Sequence, residues 1–139
     1  MKEKQIAKII IDAFWNGGKV IIFGCGGSMA EASHFAGELV GIGVPAIALN
    51  DPSVLTALAN DFRFDEVFSR QIFTLGKTED IAIALSTSGK SKSVLNGIKM
   101  AEEVGVNVID WPRKGKTTEE IQEYQLGLIH KVYHLLKEL

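Results

Sequence analysis

The sequence predicts an α/β fold, a doubly wound parallel sheet of about four strands flanked by helices, in the flavodoxin-like strand order 2-1-3-4. Four short runs of continuous apolar residues have the composition of strands buried on both faces, as in parallel sheets. These runs alternate with amphipathic helical patterns, as expected when helices cover both faces of the sheet. A chain of 139 residues is expected to form a single domain, 1–139.

The elements of the N-terminal half follow from spacing and stop signals. Ile6, Ile10 and Ala13 recur at helical spacing over 2–15, and Asn-Gly-Gly at 16–18 ends this helix. Apolar runs predict strands at 19–23 and 45–49, with a helix over 28–40 between them. Ser53 is the expected N-cap of a short helix to residue 58, and Asp65 that of a helix to residue 75.

The C-terminal half continues the alternation. Strands are predicted at 81–85 and 106–110, with a helix over 91–104 between them, ended near Gly105. Thr117 or Thr118 is the expected cap of a final helix to residue 139. Two glutamates in its first turn suit the positive end of the helix dipole.

Composition excludes several classes of protein. The net charge of −2 and pI near 5.9 give no electrostatic reason to expect nucleic-acid binding. The single cysteine excludes an internal disulfide and fits a reducing compartment. The sequence contains neither a membrane-spanning apolar stretch nor a signal peptide, so a cytoplasmic protein without membrane contacts is expected.

Two polar loops follow the first and third strands, Gly24–Ser28 and Ser86–Ser91, and each opens a helix. In a doubly wound sheet of order 2-1-3-4 these strands are neighbours, so both loops meet in one crevice at the carboxyl ends of the strands. Hydroxyls and free backbone N–H groups at a helix N-terminus favour an anion. Four hydroxyls within six residues, followed by Lys92, favour a phosphate site over ordinary capping and turn formation. The residues are Ser86, Thr87, Ser88 and Ser91.

A nucleotide site is the weaker interpretation of the same loops. Gly24 and Gly26 fit the dinucleotide fingerprint, but Met29 stands at the place of its third glycine. Asp51 could serve only loosely as the ribose-binding acid, and Ala84 replaces the first glycine of a Walker loop. A smaller ligand and no nucleotide cofactor are therefore expected.

Acid–base and metal-binding residue types lie on two predicted helices. His34 and Glu38 share a face at i and i+4, while Gln122 and His130 lie eight residues apart on the last helix, within reach of long side chains. Such a set could bind a divalent metal or act as acid and base, although each pair alone is more often an ion pair or a half-buried histidine. Cys25 is either a nucleophile at a helix N-terminus or a small residue in a tight loop.

Collinear stretches along most of the chain resemble the SIS (sugar isomerase) domain family, and most closely its phosphoheptose isomerase branch. They are Gly24–Ser28, His34–Leu39, Pro45–Leu49, Asn60–Phe62, Val67–Arg70, Ser86–Gly89 with Ser91, and Ile121–Gln122 with His130. The resemblance implies an SIS-type fold and isomerisation of sedoheptulose 7-phosphate to D-glycero-D-manno-heptose 7-phosphate, which feeds bacterial surface-sugar synthesis. It also implies a homo-oligomer, dimer or tetramer, with sites between subunits that a neighbour's last helix completes.

The resemblance implies a role for each residue that matches a functional position of the family. Glu38 would be the base and His130 its acid partner. The family's ligands for one zinc ion per site match His34, Glu38, Gln122 and His130. The phosphate site matches Ser86, Thr87, Ser88 and Ser91. Other substrate contacts match Cys25, Gly26, Gly27, Asn60, Asp61 and Gln122.

Three departures from the family pattern leave a second hypothesis open. Cys25 stands where the family usually has asparagine, the longer N-terminal helix has no counterpart, and the stretch between Asp110 and Thr117 is short. These departures favour a non-catalytic SIS module that binds a sugar phosphate or a protein partner, such as a replication initiator. The retained Glu38 and His130 favour the isomerase.

Overall fold

A four-stranded parallel sheet forms the centre of the computed structural model, which describes residues 1–139. The strands are β1 (Val20–Gly24), β2 (Ala46–Ala48), β3 (Ile81–Leu85) and β4 (Asn107–Asp110). The helices are α1 (Glu3–Trp15), α2 (Gly27–Gly41), α3 (Pro52–Asp61), α4 (Val67–Leu75), α5 (Lys92–Glu103) and α6 (Thr118–Lys137). A short 3-10 turn at Phe64–Glu66 precedes α4.

The strand order β2-β1-β3-β4 confirms the predicted doubly wound sheet. Every residue of the central strands β1 and β3 is buried, because helices cover both faces of the sheet. Gly24 pairs with Leu85 at the carboxyl ends of these two strands. The loops that follow therefore start side by side, as the sequence predicts.

The helix after β2 is longer than predicted and has a different cap. It runs from Pro52 to Asp61, and the Asp51 carboxylate accepts hydrogen bonds from the backbone N–H groups of Ser53 (2.9 Å) and Val54 (3.2 Å). Asp51 rather than Ser53 is thus the N-cap, with proline at the first helical position. The Thr117 cap of α6 is confirmed by its hydrogen bond from the Glu120 N–H at 3.2 Å.

A buried ion pair closes the amino edge of the sheet, opposite the two loops. The Asp80 side chain is 3% exposed and accepts from the Lys19 ammonium at 2.8 Å. It also accepts from the backbone N–H groups of Lys19 and Lys77, both at 2.9 Å. Burial alone would raise the pKa of Asp80, but these hydrogen bonds outweigh it and hold the pKa below its ordinary value.

The last helix packs back against the N-terminal half of its own chain. Its buried residues include Leu128, Ile129 and Val132, which join the one hydrophobic core. Trp111, fully buried just after β4, packs edge-on against Phe35 of α2 with ring centroids 5.3 Å apart. This packing sets the face of α6 that meets the carboxyl edge of the sheet. None of the helices is both long enough and apolar enough to cross a membrane.

Candidate active site

The two polar loops meet, as the sequence predicts. Cys25 Sγ lies 3.3 Å from Ser93 Oγ and 3.8 Å from Ser91 Oγ, so the loop after β1 contacts the first turn of α5. These are weak hydrogen-bond contacts of a thiol in a tight loop, and no histidine accompanies it. The geometry therefore favours a structural role for Cys25 in a tight loop over the role of a nucleophile.

The serine loop Ser86–Ser91 is partly organised by its own hydroxyls. Ser86 Oγ accepts from the Gly89 N–H and Ser88 Oγ from the Lys90 N–H, both at 3.0 Å. A hydroxyl that accepts through its oxygen keeps its proton free to donate. Ser91 is the N-cap residue of α5 and makes no side-chain capping bond. The loop is thus folded by the Ser86 and Ser88 hydroxyls acting as acceptors, while the Ser91 hydroxyl lies 3.3 Å from that of Ser93.

Lys92, which the sequence associates with the phosphate, is directed elsewhere. Its ammonium lies 3.2 Å from the carboxylate of Asp65, which also accepts from Arg63 at 2.9 Å. The Lys92 ammonium is therefore engaged in an ion pair with a carboxylate that it shares with Arg63. The serine loop itself offers hydroxyls and backbone N–H groups to an anion.

A histidine–carboxylate cluster forms where α6 crosses α2. His34 Nε2 lies 3.1 Å from His130 Nε2 and 2.8 Å from Glu38 Oε1, and His130 Nε2 lies 3.7 Å from the same oxygen. The Glu38 side chain is 19% exposed, while the two imidazoles are about half exposed. The cluster is therefore a carboxylate at the floor of an open cleft with two ring nitrogens above it.

This cluster has the donor set and spacing of a divalent-metal site. All three ligand atoms lie within 4.8 Å of one another. Glu38 Oε1 is buried without a hydrogen-bond donor, because the contact with His34 is close but poorly aligned for a hydrogen bond. Tetrahedral ligands at about 2.0–2.1 Å from zinc lie roughly 3.4 Å apart, close to the separations here. The residues present therefore fit a bound cation.

The last helix contributes His130 to a cluster within its own chain. The resemblance implies that a neighbour's last helix completes each site, whereas here His130 meets His34 and Glu38 of the same polypeptide. The short connection 111–117 and the burial of α6 in the core explain this arrangement. His134, one turn further on, instead faces Glu3 and Lys4 near the start of α1.

Gln122, the fourth predicted ligand, lies over the glycine loop. A Cβ added to Gly27 would come within 2.4 Å of Gln122 Nε2, so only glycine allows the amide this close to the N-terminus of α2. Gln122 therefore lies at the glycine loop, on the same helix that carries His130 of the cluster. This position suits contact with a ligand that spans the two.

Replacing Gly27 by alanine should displace Gln122 and lower activity about 10-fold or more, because small misplacements of positioning groups are costly. The change is measured as kcat/KM of the purified variant. Gly37→Ala on the same helix is the matched control, since nothing lies within 4 Å of its added methyl group. It should keep full activity and raise Tm, because alanine favours a helix by roughly 0.5–1 kcal/mol. Equal activity of the two variants would contradict this role for the Gln122 contact.

Glu31 is a candidate site residue that the sequence analysis missed. Burial raises the pKa of its carboxyl to about 7, and its Oε2 is buried without a hydrogen-bond partner. Residues 31, 34 and 38 lie at i, i+3 and i+7 of α2, so Glu31 shares a face with His34 and Glu38. The spacing alone could have identified it. A carboxyl with this pKa is about half protonated at neutral pH and can donate or accept a proton.

Asn60 and Asp61 stand apart from the other predicted site residues. Both are exposed at the last turn of α3, where the Asn60 amide donates to the Asp61 carboxylate at 3.1 Å. Neither side chain bonds to the two loops or to the histidine–carboxylate cluster. Within one chain these two residues thus lie apart from the two polar loops and from the histidine–carboxylate cluster.

The fold and the crevice define a doubly wound α/β domain with a hydroxyl-rich loop and a histidine–carboxylate cluster at one edge of its sheet. The profile of the SIS domain family matches residues 2–110. The chain belongs to the SIS domain family.

Within that family the similar proteins are phosphoheptose isomerases. The chain is 43% identical to the phosphoheptose isomerase of Geotalea daltonii, over 99% of this chain and 83% of the relative. It is 38% identical to that of Thermodesulfovibrio yellowstonii, over 98% of this chain and 79% of the relative. The solved structure of phosphoheptose isomerase GmhA from Neisseria gonorrhoeae superposes with a TM-score of 0.95 at 34% identity, covering 99% of this chain and 85% of that one. The chain therefore falls in the phosphoheptose isomerase branch.

A length difference accompanies this similarity. The alignment with the Thermodesulfovibrio yellowstonii protein spans 159 positions but covers 98% of the 139 residues of this chain, about 136, so about 23 positions have no counterpart in this chain. The connection from β4 to α6 covers only 111–117 and contains no strand. This agrees with the shortening that the sequence indicates before Thr117.

Proposed function

We propose that the protein interconverts sedoheptulose 7-phosphate and D-glycero-D-manno-heptose 7-phosphate, an aldose–ketose isomerisation. The observation that carries the proposal is the convergence of Glu38 and His130 beside a hydroxyl-rich anion loop. The phosphoheptose isomerases to which the chain is similar support the same activity.

Glu38 and His130 supply the proton transfers in this proposal. The Glu38 carboxylate removes a proton from C1 of the ketose while His130 donates one to the C2 carbonyl oxygen, giving an enediol. His130 then takes the proton from the oxygen on C1, and Glu38 returns its proton to C2, leaving an aldehyde at C1 and a hydroxyl at C2. Both residues end as they began. Their separation of 3.7 Å lets them serve adjacent carbons.

The polar loops hold the substrate in place. The phosphate binds the hydroxyls of Ser86, Thr87, Ser88 and Ser91 and the N-terminus of α5. Binding energy from this remote group aligns C1 and C2 at the acid–base pair. Cys25, Gly26, Gly27 and Gln122 line the path of the sugar chain between the two ends.

Zinc is the proposed cofactor, held by His34, Glu38 and His130, with Gln122 as the further ligand that the family implies. The geometric support is the orphaned Glu38 oxygen between two imidazole nitrogens. When bound, the ion supplies Lewis-acid polarisation of the substrate oxygens. No nucleotide cofactor is proposed, and the Asp51 carboxylate that a ribose would need is used as a helix cap.

Turnover of sedoheptulose 7-phosphate by the purified protein, with zinc and with a chelator, tests the function. Aldose formation that zinc increases is the expected result. Thermal stabilisation by the sugar phosphate without turnover would contradict the isomerase and favour a binding module; the shift in stability should follow RT ln(1 + [L]/Kd). Stabilisation by NAD or ATP but not by sugar phosphates would contradict both.

We also propose that the protein is a cytoplasmic homo-oligomer whose sites are shared between subunits. The isolated Asn60 and Asp61 support it, because they could complete a neighbour's site. An open groove of about 870 Å³ beside α3, with exposed Ile47 and Phe73, also suits a subunit contact. Light scattering should report a dimer or tetramer, and mixing Glu38→Gln with Asp61→Asn should restore activity. A fully active monomer would contradict shared sites.

A further inference from the structure

The backbone carbonyl of Ser86, the first residue of the serine loop, is held by side chains from outside the loop. Gln125 of α6 donates to it through Nε2 at 3.2 Å. Arg113 of the short connection approaches the same oxygen at 3.4 Å while forming a two-pronged ion pair with Asp110. The position of the loop is therefore set partly by α6 and not only by β3.

Gln125 has an unusual environment for an amide. Its side chain is completely buried, and its Oε1 has no hydrogen-bond partner. Leaving such an acceptor unpaired destabilises the folded state, a cost that an apolar side chain of similar size would avoid. The one hydrogen bond that the amide makes is the bond to the serine loop. Its presence is thus better explained by that contact than by packing.

The helix that carries Gln125 also carries the groups at the other end of the crevice. Gln122 lies one turn earlier against Gly27, and His130 lies five residues later against His34. The same turn of α6 is held from a second side, because the buried Trp111 indole N–H donates to the backbone carbonyl of Gln125 at 3.1 Å. Gln125 thus joins the anion loop directly to the helix that bears the acid–base histidine.

We propose that Gln125 is a positioning residue that sets the distance between the serine loop and the Gln122–His130 face of α6. The proposal rests on the proposed isomerase function. Gln125 acts through the Ser86 carbonyl and its own helix, since its side chain is completely buried. The Gln125 amide keeps the phosphate-binding loop at a fixed distance from α6, so the reacting carbons of a bound substrate are aligned with His130. Loss of the amide therefore affects the chemical step more than the affinity for phosphate.

Gln125→Met keeps the size of the side chain and removes the donor. We expect kcat to fall about 10-fold or more, with KM and the Kd for inorganic phosphate changed less than threefold. Gln125→His should recover part of kcat, since its Nε2 is the same number of bonds from the backbone and can donate. Glu123→Gln, exposed on the same helix, is the control and should match the wild type. Unchanged kcat in Gln125→Met would overturn the proposal, as would parallel losses of kcat, phosphate affinity and Tm.

A second measurement uses the unaltered protein and needs no turnover. Titration with inorganic phosphate should shift the indole N–H resonance of Trp111, which bonds to Gln125, and leave that of the exposed Trp15 unchanged. Shifts confined to the amides of 86–91 would overturn the link while preserving the phosphate site. Absence of any shift would refute the phosphate site and the proposed function with it. These outcomes separate failure of the link from failure of the function.

Discussion

Glu38→Gln should abolish turnover of sedoheptulose 7-phosphate while leaving the protein folded. Glutamine has the same shape but cannot accept a proton from carbon, and positioned acid–base groups contribute on the order of 10²- to 10⁴-fold to rate. Little stability should be lost, because Glu38 Oε1 receives no hydrogen bond in the native structure. The measurements are kcat, the unfolding curve and the Kd for inorganic phosphate.

Affinity for phosphate should be retained in Glu38→Gln, since the serine loop lies on β3 and α5 rather than on α2. Affinity for zinc should fall, because one of the three converging ligands loses its charge. Glu102→Gln, exposed on α5, is the matched control and should behave as the wild type. Turnover in Glu38→Gln within a few fold of the wild-type rate would remove Glu38 as the base.

Asp80→Ala should have the opposite profile, with a large loss of stability and little loss of activity below the melting temperature. The change removes the acceptor for two backbone N–H groups and for the Lys19 ammonium in a site that is almost fully buried. Breaking one side of a buried ion pair costs roughly 3–5 kcal/mol. For a chain of this length that corresponds to a Tm lower by about 10–17 °C.

Asp12→Ala is the control for Asp80→Ala. Asp12 pairs with Lys8 at 2.9 Å, but both side chains are more than half exposed, so its removal should change stability by less than about 1 kcal/mol. Kinetic constants of Asp80→Ala measured well below its Tm should match the wild type. A drop in kcat there would mean that the amino edge of the sheet is coupled to the site.

Asp80 also contributes to the loss of stability in acid. The pKa of Asp80 is lowered in the folded protein, so its contribution is present above the unfolded value near 3.8 and is lost as pH falls through the folded value. The contribution of Glu31 to stability has the opposite dependence on pH. Its pKa is raised from 4.5 to about 7, so the folded state binds the extra proton and stability declines as pH rises across that interval. Because Asp80→Ala lacks the carboxyl with the lowered pKa, its free energy of unfolding should depend less on pH below 4 than that of the wild type.

The sheet and the pairing of its loops were predictable because they depend on local patterns. Continuous apolar runs identified the central strands, and their neighbouring positions in the order 2-1-3-4 brought Cys25 and Ser86–Ser91 together. Spacing on one helix likewise placed His34 beside Glu38. The cap of α3 was missed although the signal was local, since Pro52 at the first helical position marks Asp51 as the preceding cap.

Long-range packing limited the rest of the prediction. Nothing in the spacing of Gln122, Gln125 and His130 specifies which strand or loop their helix crosses, so the Gln125–Ser86 bond and the Gln122–Gly27 contact emerge only from the folded chain. The raised pKa of Glu31 likewise depends on burial by other elements. Asn60 and Asp61 were placed with the site through the family resemblance, and the single chain keeps them apart.

The distance between the Asp80 ion pair and the serine loop has a consequence for how this protein tolerates change. The two are separated by the whole of β3, five buried residues spanning roughly 16 Å, with the ion pair at one end and the loop at the other. We therefore expect substitutions that weaken or strengthen the amino edge to shift the melting temperature without moving the reactive groups. Thermostable variants for structural or industrial use can therefore be sought at 19 and 77–80 while the catalytic crevice is left unaltered.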